Sequence, residues 1–180
     1  MTSSTSVDGV VINRAPVLTL WAAVVAERLG FSHEEALTLG KAVAGLNAYS
    51  KGKALGLFQP TPAEVRQKRA AHAKEVGVFQ VELLHRAVPV VQTPEGLRAV
   101  VKEKPIAPAS VQKYLATKFK DTLGHVSAAM TELAASRDPE TLAAEAYALY
   151  EKFRPAIPAG EAGWGAPGEL SLGKIRALAQ

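Results

Sequence analysis

The 180-residue sequence predicts a mainly α single domain of about six helices with one small β-hairpin. Three observations lead there. Apolar residues recur three and four apart over long stretches, proline and glycine punctuate those stretches at helix boundaries, and one short region alternates instead of repeating helically. Hydrophobic residues make up 48% and aromatic residues only 6%, so the core draws on Leu, Val and Ala, which suits close helix packing.

Residues 1–13, rich in Ser and Thr at their start, read as a flexible tail ahead of a single helical domain over 14–180. Ala15-Pro16 opens the first helix, with Val17, Leu20, Trp21, Val24, Val25 and Leu29 on its apolar positions and Gly30 as its stop. The apolar run Ala15 to Ala26 is shorter than the ~20 residues that span a bilayer, so it reads as a buried helix. A second helix starts at Ser32, where Ser-x-x-Glu35 forms a capping box. From Asn47 to Pro60 the pattern dissolves into an expected loop, and Thr61-Pro62-Ala63-Glu64 opens a polar third helix.

Residues 88–92 and 97–101 read as strands joined by a turn at Pro94 and Gly96, with a further strand or a short helix in 78–84. Pro89 removes a ladder donor and places its strand at a sheet edge. Val111, Tyr114, Leu115, Phe119, Leu123, Val126, Met130 and Leu133 keep one phase. Unless Gly124 interrupts it, this is one helix over 109–135, roughly 40 Å long at about 1.5 Å per residue. Asp138-Pro139 starts a helix ending at Arg154-Pro155, the indole of Gly163-Trp164-Gly165 in a glycine-rich loop reads as an anchor for the C-terminal segment or as a lid over a pocket, and a last short helix follows Ser171. The expected core includes Trp21, Val25, Leu39, Val43, Tyr114, Leu115, Leu123, Met130, Leu149 and Phe153.

No cysteine is present, which excludes disulfides, cysteine-ligated zinc and thiol nucleophiles. Ser50-Lys-Gly-Lys-Ala-Leu-Gly56 lacks the spacing of a phosphate-binding loop, and no nucleophile elbow or His-Glu-x-x-His appears. The histidines His33, His72, His85 and His125 are scattered and the aspartates number three, so no metal site and no cofactor are expected. The opening residues carry no basic segment followed by an apolar one, so a cytoplasmic location is expected.

Ala26-Glu-Arg-Leu-Gly30-Phe-Ser32-His-Glu-Glu-Ala36-Leu-Thr-Leu39 resembles the helix-turn-helix of DNA-binding proteins in its small residue, turn glycine and apolar spacing. The resemblance implies a second helix that reads bases, yet its first turn holds His33, Glu34 and Glu35, the wrong sign toward phosphate. The segment therefore reads as a structural hairpin. The turn at Thr93–Gly96 lies too far downstream for a wing.

Charge supplies the functional expectation. Net charge is +4, but two windows, 51–75 and 98–120, together carry +9 and leave −5 elsewhere. The basic residues are Lys51, Lys53, Arg66, Lys68, Arg69 and Lys74 in the first window, and Arg98, Lys102, Lys104, Lys113, Lys118 and Lys120 in the second. The expectation is a non-enzymatic protein that contacts nucleic-acid phosphates through both stretches, without a membrane partner. The alternative is a protein-interaction or structural scaffold, including self-association through the long 109–135 helix. An enzyme comes third, and would need a pocket joining His125 or His85 to a carboxylate.

Overall fold

A computed structural model describes residues 9–54, 77–101, 104–155 and 168–180, with only the backbone described over 48–54. Helix α1 (Arg14–Arg28) is its axis, for every residue from Pro16 to Ala26 is buried. A helix that is apolar on all sides belongs in the middle of a protein, and α1 packs against the four longer helices that follow. Trp21, fully buried, donates its indole N–H to the Ala146 carbonyl at 2.9 Å and meets Phe153 edge-on at 5.3 Å.

Helix α2 (His33–Ala54) folds back along α1 after the turn at Gly30, whose φ of 114° suits glycine. The expected capping box forms: Ser32 N donates to Glu35 Oε1 at 2.9 Å and Glu35 N donates to Ser32 Oγ at 3.2 Å. The two helices approach closely at Gly40, where a Cβ would collide with the Thr19 carbonyl and come within 3.0 Å of Ala23 N. Contrary to the expected loop at Asn47, α2 continues to Ala54. The Asn47 side chain is satisfied within the fold, since its Oδ1 accepts from Arg86 Nη2 at 2.9 Å and Tyr147 Oη at 3.2 Å.

The expected single hairpin is a four-stranded antiparallel sheet in the order β2 (Phe79–Leu83), β3 (Arg86–Thr93), β4 (Gly96–Val101), β5 (Lys104–Pro105). Pro89 sits in the inner strand β3, which corrects the edge assignment. The reason lies in the register. β3 pairs with β2 through Arg86–Val90 and with β4 through Val90–Thr93, so Pro89 falls in the half without a β4 partner. Beyond the β4–β5 pairing, α2 side chains meet β4 amides: Leu97 N donates to Glu35 Oε2 at 2.9 Å and Ala99 N to Thr38 Oγ1 at 3.1 Å.

A second correction concerns the long helix. It is two helices, α3 (Pro108–Phe119) and α4 (Leu123–Ala135), separated by a 3-10 turn at Lys120–Thr122 with Lys120 at φ 52°. The break, not Gly124, ends the first half. Val111, Leu115 and Phe119 on α3 and Val126, Met130 and Leu133 on α4 are all buried in this chain's own core. The apolar face that suggested self-association is thus covered internally.

Helix α5 (Pro139–Phe153) starts after Asp138 and ends before Arg154 as the sequence indicates, and Ser171 Oγ caps α6 (Leu172–Leu178) by accepting from Lys174 N at 3.3 Å. The expected tail is corrected at its end. Gly9–Ile12 forms β1, antiparallel to β6 (Gly168–Ser171), with Val10, Ile12 and Leu170 buried. The described residues thus hold five helices of 12 residues or more, one of seven, and two sheets. The helix expected from Thr61 and the Gly163-Trp164-Gly165 loop lie outside the described residues. Of the expected core, only Tyr114 and Leu123 are partly buried. Among the described residues no helix is long and apolar enough to cross a membrane.

Candidate polyanion interface

The described cations of the two basic stretches fall into three environments. Arg98 is not available to a partner. It is 7% exposed, donates from Nη1 to the Leu97 carbonyl at 2.9 Å and lies 3.5 Å from Glu34 Oε1 through Nη2. Its place on β4 next to the first turn of α2 turns a predicted phosphate contact into a bond between sheet and helix.

Lys51 and Lys53 lie in the last turn of α2 rather than in a loop. Arg66, Lys68, Arg69, Lys74 and Lys102 lie outside the described residues.

The remaining four, Lys104 on β5, Lys113 and Lys118 on α3, and Lys120 at its end, are exposed. Helix α3 is amphipathic in the simplest way: Val111, Leu115 and Phe119, each four apart, point inward, and of the residues between them all but the partly buried Tyr114 are exposed. Lys113 and Lys118 are five apart and so lie on different sides of the helix, Lys118 one turn beyond Tyr114, while Lys120 lies in the 3-10 turn past the helix end. The cations therefore wrap round the exposed part of α3.

Lys41, outside both basic windows, joins this set. Its Nζ lies 3.8 Å from the centroid of the Tyr114 ring, and Lys118 Nζ lies 5.9 Å from the same centroid. The pair spans α2 and α3, and no carboxylate among the described residues is within ion-pair distance of either lysine. Burial, with the neighbouring Lys118 ammonium second, holds the half-buried Lys41 below the usual lysine range. The Tyr114 ring face acts the other way, because its quadrupole attracts the charged form. Burial in turn pushes the Tyr114 hydroxyl above the ordinary tyrosine value. An anion placed between the two ammonium groups would relieve their repulsion, whereas a neutral group would not.

The helix-turn-helix-like segment is engaged internally at the turn that would face DNA. His33 Nδ1 is 3.0 Å from Glu27 Oε2, Glu34 pairs with Arg98, and Glu35 accepts from Leu97 N. The β3–β4 turn sits against that end of α2. Of the histidines raised for catalysis, His85 and His125 are exposed, and neither pairs with a carboxylate among the described residues. No group of three or more His, Asp or Glu that could hold a metal ion occurs among the described residues.

Lys41 and its partner Tyr114 were not among the binding residues expected from sequence. Lys41 stands alone on a mostly apolar part of α2, and only the packing of α2 on α3 brings it to Lys118. Comparison with family models, with curated proteins and with solved structures finds no match to this chain.

Proposed function

We propose that the chain is a non-enzymatic binding protein whose partner is nucleic acid, contacted through phosphate by the lysines of α3 together with Lys41. The observation that carries this reading is the pair of ammonium groups, Lys41 and Lys118, at one tyrosine ring without a described carboxylate to balance them. Lys113, Lys120 and Lys104 are further exposed lysines on α3, just past its end and on β5, and Lys51 and Lys53 sit at the end of the same α2 that carries Lys41. Arg98 is withdrawn from the binding set because it is buried against Glu34. Contacts of this kind position a protein on a phosphate backbone and carry no base sequence by themselves.

The test is fluorescence anisotropy with labelled duplex and single-stranded oligonucleotides over a salt series. Binding strengthens at low salt, and the double variant Lys113→Glu/Lys118→Glu weakens it by at least about tenfold while flattening the salt dependence by about two contacts. Absence of binding at low salt, or binding indifferent to the double charge reversal, overturns the proposal.

A further inference from the structure

Helices α1 to α4 leave a cleft of about 600 Å³ between them, on the side where α4 faces the α1–α2 turn. Its size is that of a small-molecule site, for which volumes of roughly 300–1,000 Å³ are usual. The inner wall is apolar: Ala23 and Val24 of α1, Leu37 of α2 and Leu115 of α3 all contribute. Gly124 lines the opposite wall on α4.

That glycine has no conformational reason to be there. It is helical, without a positive φ, and a Cβ added to it would meet nothing within 4 Å. Glycine is the poorest helix former after proline, so neither backbone geometry nor close packing accounts for it. A large side chain at this position would project into the mouth of the cleft.

The polar groups around the opening are matched to one another. Glu27 meets His33 at 3.0 Å, and Arg28 donates to the carbonyls of Ala134 at 3.4 Å and Arg137 at 3.0 Å. Glu27 and Arg28 bring one charge of each sign to the lining, which therefore favours neither an anion nor a cation by net charge. Gln112, Ser127 and Thr131 add uncharged donors and acceptors on the α3 and α4 side. A charged head group would lose hydration there and would meet a like charge as well as an opposite one.

We propose that the cleft between α1, α2, α3 and α4 binds an uncharged, mainly apolar small molecule carrying one or two hydrogen-bonding groups. The site uses residues other than the lysines of the polyanion interface, so either proposal can fail without the other.

The probe is N-phenyl-1-naphthylamine, a neutral aromatic amine whose fluorescence rises in apolar surroundings, titrated into the full chain. Saturable one-to-one binding is expected, with Gly124→Ala within about twofold of the parent and Gly124→Phe, which fills the opening, weaker by about tenfold or more. The sulfonated analogue 1-anilinonaphthalene-8-sulfonate binds at least about tenfold more weakly than the neutral probe. Should Gly124→Phe unfold the chain, amide shift changes in the unsubstituted protein locate the probe directly. Shifts centred on Ala23, Leu37 and Gly124 support the proposal. No saturable binding, shifts centred elsewhere, equal affinity for the sulfonate, or a folded Gly124→Phe that binds as well as the parent each overturn it.

Discussion

Glu35 uses both carboxylate oxygens on backbone amides that belong to different parts of the fold. Oε1 accepts from Ser32 N at the start of its own helix, and Oε2 accepts from Leu97 N on β4. The Leu97 amide, and after it the Ser32 amide, hold its carboxyl below the usual carboxylate range. A depressed native value means that the unfolded chain binds the extra proton first, so stability rises with pH through that window. The contribution is complete above the unfolded value and is lost as pH falls through the native one. Thermal melts between about pH 6 and pH 3 are therefore expected to fall more steeply for the parent than for Glu35→Gln. At neutral pH, Glu35→Ala costs about 1–2 kcal/mol in urea denaturation, since it leaves the part-buried Leu97 amide without its charged acceptor while the exposed Ser32 amide turns to water. At the other end of the sheet, Leu84 and His85 both adopt positive φ, at 49° and 61°. Two such residues form the turn whose twist matches a tight hairpin, and the burial of Leu84 at 3% exposure holds its side chain in the core.

At the scale of elements, the α1–α2 hairpin shows how one missing Cβ sets a helix distance. Gly40 lies against the Thr19 carbonyl and the Ala23 backbone, while Gly45, on the same helix, has nothing within 4 Å of an added Cβ. The same substitution is therefore expected to act with opposite signs. Gly40→Ala destabilises by about 1–3 kcal/mol because the neighbour is backbone and must move, whereas Gly45→Ala stabilises by up to about 1 kcal/mol through helix propensity. Urea denaturation of both variants checks the pair, and equal signs would refute the close-approach argument. The same hairpin serves the sheet. Glu35 and Thr38, three apart on α2, receive the amides of Leu97 and Ala99, two apart on β4. Helix side chains thereby satisfy strand donors that would otherwise need water or another strand. Phe119 before the α3–α4 break and Val126 after it both lie in the core.

Across the whole molecule, the β1–β6 ribbon joins the two ends of the described chain. Gly9 pairs with Ser171 and Ile12 with Gly168, and Ile12, Leu170 and Leu172 lie in the same core cluster as α1. A contact of such sequence separation must be formed against the loop entropy of nearly the full chain. Ile12→Ala is expected to cost about 2–5 kcal/mol, the usual range for emptying a buried aliphatic site. Hydrogen exchange then reports where that loss falls: β6 amides that open together with β1 show the ribbon to be one cooperative unit. The candidate interface lies elsewhere, across α2 and α3. Its charge comes from one helix of the hairpin and from the first helix after the sheet, and the packing of α2 on α3 is what brings Lys41 and Lys118 together.

Helix periodicity and its punctuation are local properties, and they were readable wherever the deciding interaction was also local. Ser32 with Glu35, Asp138 with Pro139 and Ser171 with the last helix are set by residues three or fewer apart. Pairings between distant segments left no such trace. Strands of four residues at Gly9–Ile12 and Gly168–Ser171 are too short to show alternation, and each becomes a strand because the other lies beside it. Lys120 stands in an unbroken apolar phase, so nothing near it announces the turn that lets two helices bury their faces. The basic stretches were legible as charge, but not as surface. Arg98 reads like its neighbours Lys102 and Lys104 in sequence, and it lies inside because Glu34, on a helix formed much earlier in the chain, reaches it. Lys41 goes the other way, from an isolated cation to a member of the candidate site. Composition and spacing specify a mainly helical, cysteine-free chain with its positive charge concentrated in the middle. Tertiary structure alone decided which charges meet, since a helix face can be read from spacing of three and four, while a contact across helices depends on how the whole core closes.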